Sequence, residues 1–253
     1  MSANEILIKE NEEKKTLYYD FHLHSCLSPC GDSDMTPNNI VNMAKLKGLD
    51  AIALTDHNTC GNCGAIMRAG AREGLIVIPG MELCTSEDIH VVCLFKTLDG
   101  ALAFEHEVRG TMPNVKNRTE IFGEQLMLDD MDNLAGSEEM LLIVASGISV
   151  DNVLSLCRSF GGTAFPAHAD KSANGIIEIL GAIPPEAGFV SAELSHLCDA
   201  PSFLAANQSL LGRRILRDSD AHYLWDISER QNALAVQDST ISGIVTFIDG
   251  VCL

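Results

Sequence analysis

Asp20-Phe21-His22-Leu23-His24 decides how the rest of this 253-residue chain is read. Tyr18, Tyr19 and Phe21 make the run a buried strand. Positions i and i+2 of a strand share a face, so His22 and His24 present two imidazoles together at its end. Neutral imidazole is a common ligand for transition metals, and a pair of partly buried, hydrogen-bonded histidines is the other reading of the same residues.

Outward from this stretch, residues 25–35 form a loop rich in Cys, Pro, Gly and Asp. Thr36-Pro37 opens a helix, with Thr as N-cap and Pro at the first helical position, and Gly48 closes it. Residues 50–54 are a short apolar strand ending in Thr55-Asp56-His57-Asn58. A helix over 64–73 and a buried strand over 75–79 lead into Gly80-Met81-Glu82, and a fourth strand over 89–95 opens near His90. Residues 99–140 are polar and acidic with no strong period, and read as a helical or irregular insertion. Alternation then resumes. A helix over 149–160 and a strand over 162–165 reach Pro166-Ala167-His168 and Lys171; a helix over 175–180 and a strand over 189–194 follow. A helical stretch over 202–210 and a strand over 214–216 run into Asp218-Ser219-Asp220-Ala221-His222, and a strand over 233–236 and a helix near 240–248 close the chain. Without an internal repeat or a linker-like segment, residues 1–253 read as one domain.

Alternating strands and helices predict a mainly parallel sheet, open or closed into a barrel. His22, His24, Asp56, His57, Glu82, His168, Asp220 and His222 each fall at or just past a predicted strand's C-terminal end. In an α/β barrel those ends meet on one face. His90 starts its strand, so its place stays open. Counting it, six of the eight histidines gather in this set, which predicts a metal site.

Composition limits the partners. Hydrophobic residues make up 46% of the chain, enough for a large core, and no apolar run is long enough for a membrane span. The formal net charge is -18, with 17 Lys and Arg against 35 Asp and Glu. That balance argues against a membrane surface and against long nucleic acid, both of which need clustered cations. Residues 1–16 are charged and lack the apolar segment of a signal peptide, so a cytoplasmic protein is expected. Nine cysteines then argue for free thiols rather than a disulfide framework. Cys26, Cys30, Cys60 and Cys63 either hold an additional zinc or iron–sulfur group or fill tight loops as reduced thiols.

His22-Leu23-His24, Thr55-Asp56-His57-Asn58, Gly80-Met81-Glu82, His90, Pro166-Ala167-His168 and Ser219-Asp220-Ala221-His222, in that order, resemble the successive motifs of the PHP (polymerase and histidinol phosphatase) family. The resemblance runs from about Tyr18 to Trp225 and is to the stand-alone members. It implies a distorted (β/α)7 TIM-like barrel carrying two or three divalent metal ions (Zn, Mn or Fe) at the C-terminal strand ends. By motif, the first metal would take His22, His24, Glu82 and Asp220. The second would share Glu82 and add His90 and His168. The third would take His57, His222 and a residue of the loop after the first strand, where Asp32 is preferred to Asp34. The loop departs from the family's commonest pattern, since it offers no His and its acid follows Gly31.

The activity implied is hydrolysis of a small phosphate ester (nucleotide, sugar or amino-alcohol phosphate) by a metal-bridged hydroxide, with Glu82 as the bridge and His222 beside the reacting group. Asp56 would orient a ligand, and Glu193 would either do the same or be a solvated acid. Lys171 and Arg118 are candidate phosphate-binding cations, Arg118 from an insertion that could fold over the site; an ordinary surface charge is the other reading of each. The oligomeric state is open. Two further functions stay in view: hydrolysis of C–N or carboxylic ester bonds by the same centre, and a non-catalytic, metal-stabilised regulatory domain.

Overall fold

The computed structural model of the protein describes residues 14–250. Its elements follow one another as β1 (Lys15–Leu23), α1 (Pro37–Leu46), β2 (Ala51–Leu54), α2 (Cys63–Glu73), β3 (Ile76–Cys84), β4 (His90–Phe95) and α3 (Leu98–Thr111). Then come α4 (Thr119–Phe122), β5 (Leu126–Leu128), β6 (Leu134–Ser137), α5 (Val150–Ser159), β7 (Gly162–Pro166) and α6 (Ile176–Leu180). The chain ends through β8 (Ser191–Ser195), α7 (Ala200–Ala206), β9 (Arg214–Asp218), β10 (Ala233–Val236) and α8 (Ile241–Ile248).

Six strands form a curled sheet in the order β10-β1-β2-β3-β4-β7, and β8 and β9 form a separate parallel pair. Backbone bonds span the two gaps between them: Ala169 N–H to the Glu193 carbonyl (2.9 Å), and His24 N–H to the Ala221 carbonyl (3.0 Å). The result is an α/β fold whose strands wrap an inner apolar layer. Tyr19, Phe21, Ala51, Ala53, Ile78, Val92, Leu94, Phe165 and Leu216 fill it, with α8 supplying Ile244, Val245 and Ile248. The complementary residues Leu23, Ile52, Leu54, Val77, Val91 and Cys93 face outward to the helices. This period-two division is what a strand buried on both faces produces. Helix α2 lies so near β3 that a Cβ on Gly70 would sit 2.4 Å from Val77 Cγ2, which is why glycine stands there.

The expectation of a mainly parallel sheet is corrected at two strands. β10 pairs antiparallel with β1, and β4 runs antiparallel to both its neighbours, β3 and β7. β3 is also longer than the predicted 75–79: residues 76–79 pair with β2 and residues 80–84 with β4, so Glu82 lies inside a strand. The reversal of β4 explains His90. Its first residue lies at the same end of the sheet as the last residues of β1, β2, β3 and β7.

The segment over 99–140 is less separate than expected. Helix α3 buries Ala101, Phe104 and Val108, and the Phe104 ring lies 5.0 Å from that of Phe95. The remainder carries the β5–β6 hairpin. Asp132 in its turn accepts bonds from Thr36 Oγ1 (2.8 Å) and Asn38 N–H (3.1 Å), at the N-terminus of α1.

A register shift between Asp20 and Leu23 places three residues of β1 against two of β2. The extra residue reverses the facing of the strand. Tyr19 and Phe21 point into the inner layer and Leu23 outward, so His22 and His24 are turned inward above Phe21. Candidate ligands thus sit directly on top of the apolar core.

Candidate metal centre

His22 and His24 are fully buried, and their Nε2 atoms lie 3.3 Å apart. Carboxylate oxygens surround both. Glu82 approaches His22 Nε2 at 3.2 Å and His24 Nε2 at 3.3 Å, and Asp220 Oδ1 stands 3.4 and 3.2 Å from the same two atoms.

The other ring nitrogens are engaged from behind. His22 Nδ1 lies 2.8 Å from Glu193 Oε2, and His222 Nδ1 lies 2.8 Å from the Asp220 carbonyl. His24 Nδ1 lies 3.0 Å from Ser28 Oγ. Ser28 donates its proton to Asp56 Oδ1 (2.7 Å), so its oxygen accepts from His24 and from His57 N–H (3.1 Å). A carboxylate and a carbonyl accept only, so these contacts assign the proton to Nδ1 on all three rings. In the neutral ring each Nε2 then has the lone pair. Two such lone pairs and two carboxylates facing one another within about the reach of a hydrogen bond need positive charge between them, either added protons or a divalent cation.

Around Glu82 the pattern repeats. His90 Nδ1 is 2.8 Å away, His57 Nδ1 3.0 Å and His168 Nε2 3.1 Å. His57 Nδ1 and Glu82 Oε2 are buried atoms without a hydrogen-bond partner, although the ion-pair distance between them is short. The distance is real but the angle is not that of a hydrogen bond, as for two ligands aimed at a common point between them. Among the described residues, ligand atoms converge in three sets, namely His22, His24, Glu82 and Asp220; His57, Glu82 and His90; and His24, Cys30, His57 and His222. Mixed imidazole and carboxylate donors fit Zn, Mn or Fe.

The charges of the empty-handed residues follow from the crowding. Burial pushes His22 and His24 down, but Glu193, Glu82 and Asp220 around the first, and Asp220 and Glu82 around the second, outweigh it and raise both. Burial likewise opposes charge on His90, yet Glu82 carries it up to about 10. His57 is lowered by burial, and His222 is lowered to about 3 by burial and the neighbouring His24. Glu82, despite its burial, is held well below the usual carboxylate range by His90, His22 and His57. Backbone strain gathers here too: His168 (φ 25°), Asp220 (φ 54°) and Asn58 (φ 51°) adopt left-handed conformations uncommon outside glycine.

Most predicted residues meet at this point. Asp56 is buried and accepts from Ser25 N–H (2.7 Å), Ser25 Oγ (2.6 Å) and Ser28 Oγ, so it acts on the site through Ser28 and the loop. Glu193 is fully buried against His22, which removes the solvated-acid reading. Lys171 lies at the centre, its Nζ 2.6 Å from Asp220 Oδ2. Arg118 is exposed at the start of α4 and joins none of the described ion pairs.

Asp32 is the predicted ligand that the fold does not bring in. Its carboxylate accepts from Asp34 N–H (2.9 Å), and its own N–H bonds to the His222 carbonyl (2.9 Å). Cys30 stands in the converging set instead. The four-cysteine reading also fails among the described residues. Cys26 Sγ faces the Leu126 carbonyl, and Cys60 and Cys63 face that of Gly80, as thiols filling tight loops do. Sequence reasoning passed over Ser28, and it read Cys30 as part of a separate four-cysteine group or a loop filler rather than as a neighbour of these histidines.

The sequence profile of the PHP domain matches residues 20–177, more than half of the chain. A 3',5'-nucleoside bisphosphate phosphatase of Chromobacterium violaceum is 33% identical over 73 residues, 29% of this chain and 25% of that one. The three curated relatives are matched over 51%, 29% and 25% of their own lengths, so the chain spans about half of them at most. Among solved structures, the lesion-specific endonuclease PfuEndoQ of Pyrococcus furiosus superposes with a TM-score of 0.67 at 18% identity, over 94% of this chain and 57% of that one. A Bifidobacterium adolescentis chain, described provisionally as a metal-dependent phosphoesterase, superposes with a TM-score of 0.64 at 16% identity, over 95% and 99%. At these identities the two structures establish the fold.

Proposed function

The chain belongs to the PHP domain family, and from that membership we propose that it is a metal-dependent phosphoesterase acting on a small phosphate ester: a nucleotide, sugar or amino-alcohol phosphate. The observation that carries this reading is the facing pair of His22 and His24 Nε2 atoms, 3.3 Å apart and closed in by Glu82 and Asp220. Such a set calls for positive charge at its centre, which a divalent cation supplies in place of protons.

His22, His24, Glu82 and Asp220 would hold one ion, and Glu82, His90 and His168 a second. His57 and His222 would hold a third with one further donor from the β1–α1 loop. Divalent ions there neutralise phosphate charge and make a water acidic enough to attack. Glu193 and the Asp56–Ser28 pair keep His22 and His24 turned inward. Lys171, already beside Asp220, is placed to exchange that carboxylate for a substrate phosphate oxygen. Arg118, exposed at the start of α4, would serve as a second phosphate cation. Free thiols at every described cysteine support a reducing, cytoplasmic setting. Among the described residues, no helix is long and apolar enough to cross a membrane.

The net charge of -18 supports a small substrate over long nucleic acid, because a polymer needs a cation for each phosphate it lays on the surface. The test is metal analysis followed by rates on phosphorylated metabolites, short oligonucleotides and an amide and carboxylic-ester panel, at low and moderate salt. Small esters should be hydrolysed with a salt slope of about one or two released counterions. Tight, steeply salt-dependent binding of long strands, or turnover confined to the amide panel, would overturn the substrate class.

A further inference from the structure

We propose that Cys30 is a metal ligand: its thiolate closes the third position with His57 and His222, in place of an acid from the same loop. The inference rests on the metallohydrolase reading and adds a soft donor to it. The ligand atoms of Cys30, His57, His222 and the neighbouring His24 lie within 4.8 Å of one another.

Two independent observations point to a cation there. His57 is only 6% exposed, and its Nδ1 has no hydrogen-bond partner. His222 spends Nδ1 on the Asp220 carbonyl, so its Nε2 is the nitrogen left to bind.

Cys30 is itself held in place. Successive turns close the loop through Ser28 N–H to the Ser25 carbonyl (3.1 Å) and Gly31 N–H to the Ser28 carbonyl (2.9 Å), and Asp32 N–H ties it to the His222 carbonyl. A Cβ on Gly31 would stand 2.2 Å from the Ser25 oxygen, so only glycine lets the loop fold this tightly behind Cys30. Cys30 is an exposed residue, leaving this position reachable from outside.

A thiolate among imidazoles selects zinc, cobalt or ferrous iron over magnesium and manganese. The other two positions, built from imidazole and carboxylate, do not discriminate in this way. The third ion should therefore resist exchange against manganese while the others yield to it.

Cobalt(II) loading of the metal-depleted full chain tests this without recourse to activity. The wild type should show a near-ultraviolet sulfur-to-cobalt charge-transfer band alongside the visible bands of nitrogen- and oxygen-bound cobalt. Cys30→Ser should lose the charge-transfer band and one equivalent of tightly held metal. Cys30→His should regain the metal without the band, and Cys60→Ser should keep both. Full cobalt uptake without the band, or a band that persists in Cys30→Ser, overturns the role of Cys30 and leaves the metallohydrolase reading standing. No cobalt uptake at all overturns both.

Discussion

Ser28 has one proton and two lone pairs, and all three are used: the proton on Asp56, the lone pairs on His24 Nδ1 and the His57 backbone. Its hydroxyl fixes which nitrogen of His24 faces inward. Ser28→Ala should therefore leave the fold intact and lower metal affinity and turnover by about 10–100-fold, the usual effect of losing a partner behind a ligand. Competition with a chelating dye reads the affinity, and unchanged affinity would mean that Asp56 positions only the loop. Glu82 faces four histidines besides its neighbour His24. Glu82→Gln cannot balance cations, and should cost on the order of a thousandfold in kcat, with loss of bound metal and an unchanged far-ultraviolet spectrum. Near-wild-type turnover would remove Glu82 from the reaction. The imidazoles and acids were legible in the sequence because strand ends place them by simple alternation. Ser28 and Cys30 were not, because the path of the 25–35 loop depends on Gly31 and on hydrogen bonds to residues nearly two hundred positions away, such as Asp32 to His222.

Among the elements, strand positions were readable from apolar runs, while strand direction was not. Alternation says nothing about which way a strand runs. Spacing does: the predicted gap between residues 79 and 89 is shorter than the dozen or so residues that a parallel crossover needs, which already favours a reversed β4. The bulge in β1 leaves no comparable trace, since it arises from pairing with β2. The insertion misled for another reason. Ala101, Phe104 and Val108 have helical spacing, but acids and glycines around them dilute it. Its hairpin reaches back to cap α1 through Asp132, which sits at φ 61°. Asp132→Ala loses the cap and forces alanine into a left-handed conformation, which should cost about 2–3 kcal/mol. Asp132→Asn, which tolerates that conformation and keeps an acceptor, should cost less than half as much. Urea denaturation of both variants decides, and equal costs would mean that the cap contributes nothing.

At the scale of the molecule, one cavity of imidazoles and carboxylates couples metal, protons and stability. Without metal, His22 is held above its ordinary value and His90 at about 10, so both carry protons at neutral pH. Metal needs those lone pairs, so uptake should release protons and tighten with rising pH, by about tenfold per unit for each proton displaced. Calorimetry in buffers of different ionisation heats measures the release, and uptake without proton exchange would contradict it. The sign for stability is opposite in the metal-free protein. A histidine raised in the fold stabilises it below its unfolded value of about 6.5, and that contribution is lost as pH climbs towards 10. Metal-loaded protein should not share this decline.

The inverted strand β4 has an effect on the future of this molecule as well as on its chemistry. Laying one strand upside-down lets the short Thr85–Asp88 turn join β3 to β4 at the mouth of the site without a crossover, and Asn174 and Ile148 tie it to the neighbouring loops. Chain growth at that turn alters which molecules can enter, while growth between Phe95 and Leu98, at the opposite end of the same strand, does not. A lineage of such proteins thus has, in this turn, a place at which selectivity can be remodelled by insertion without disturbing the histidines that lie beneath it.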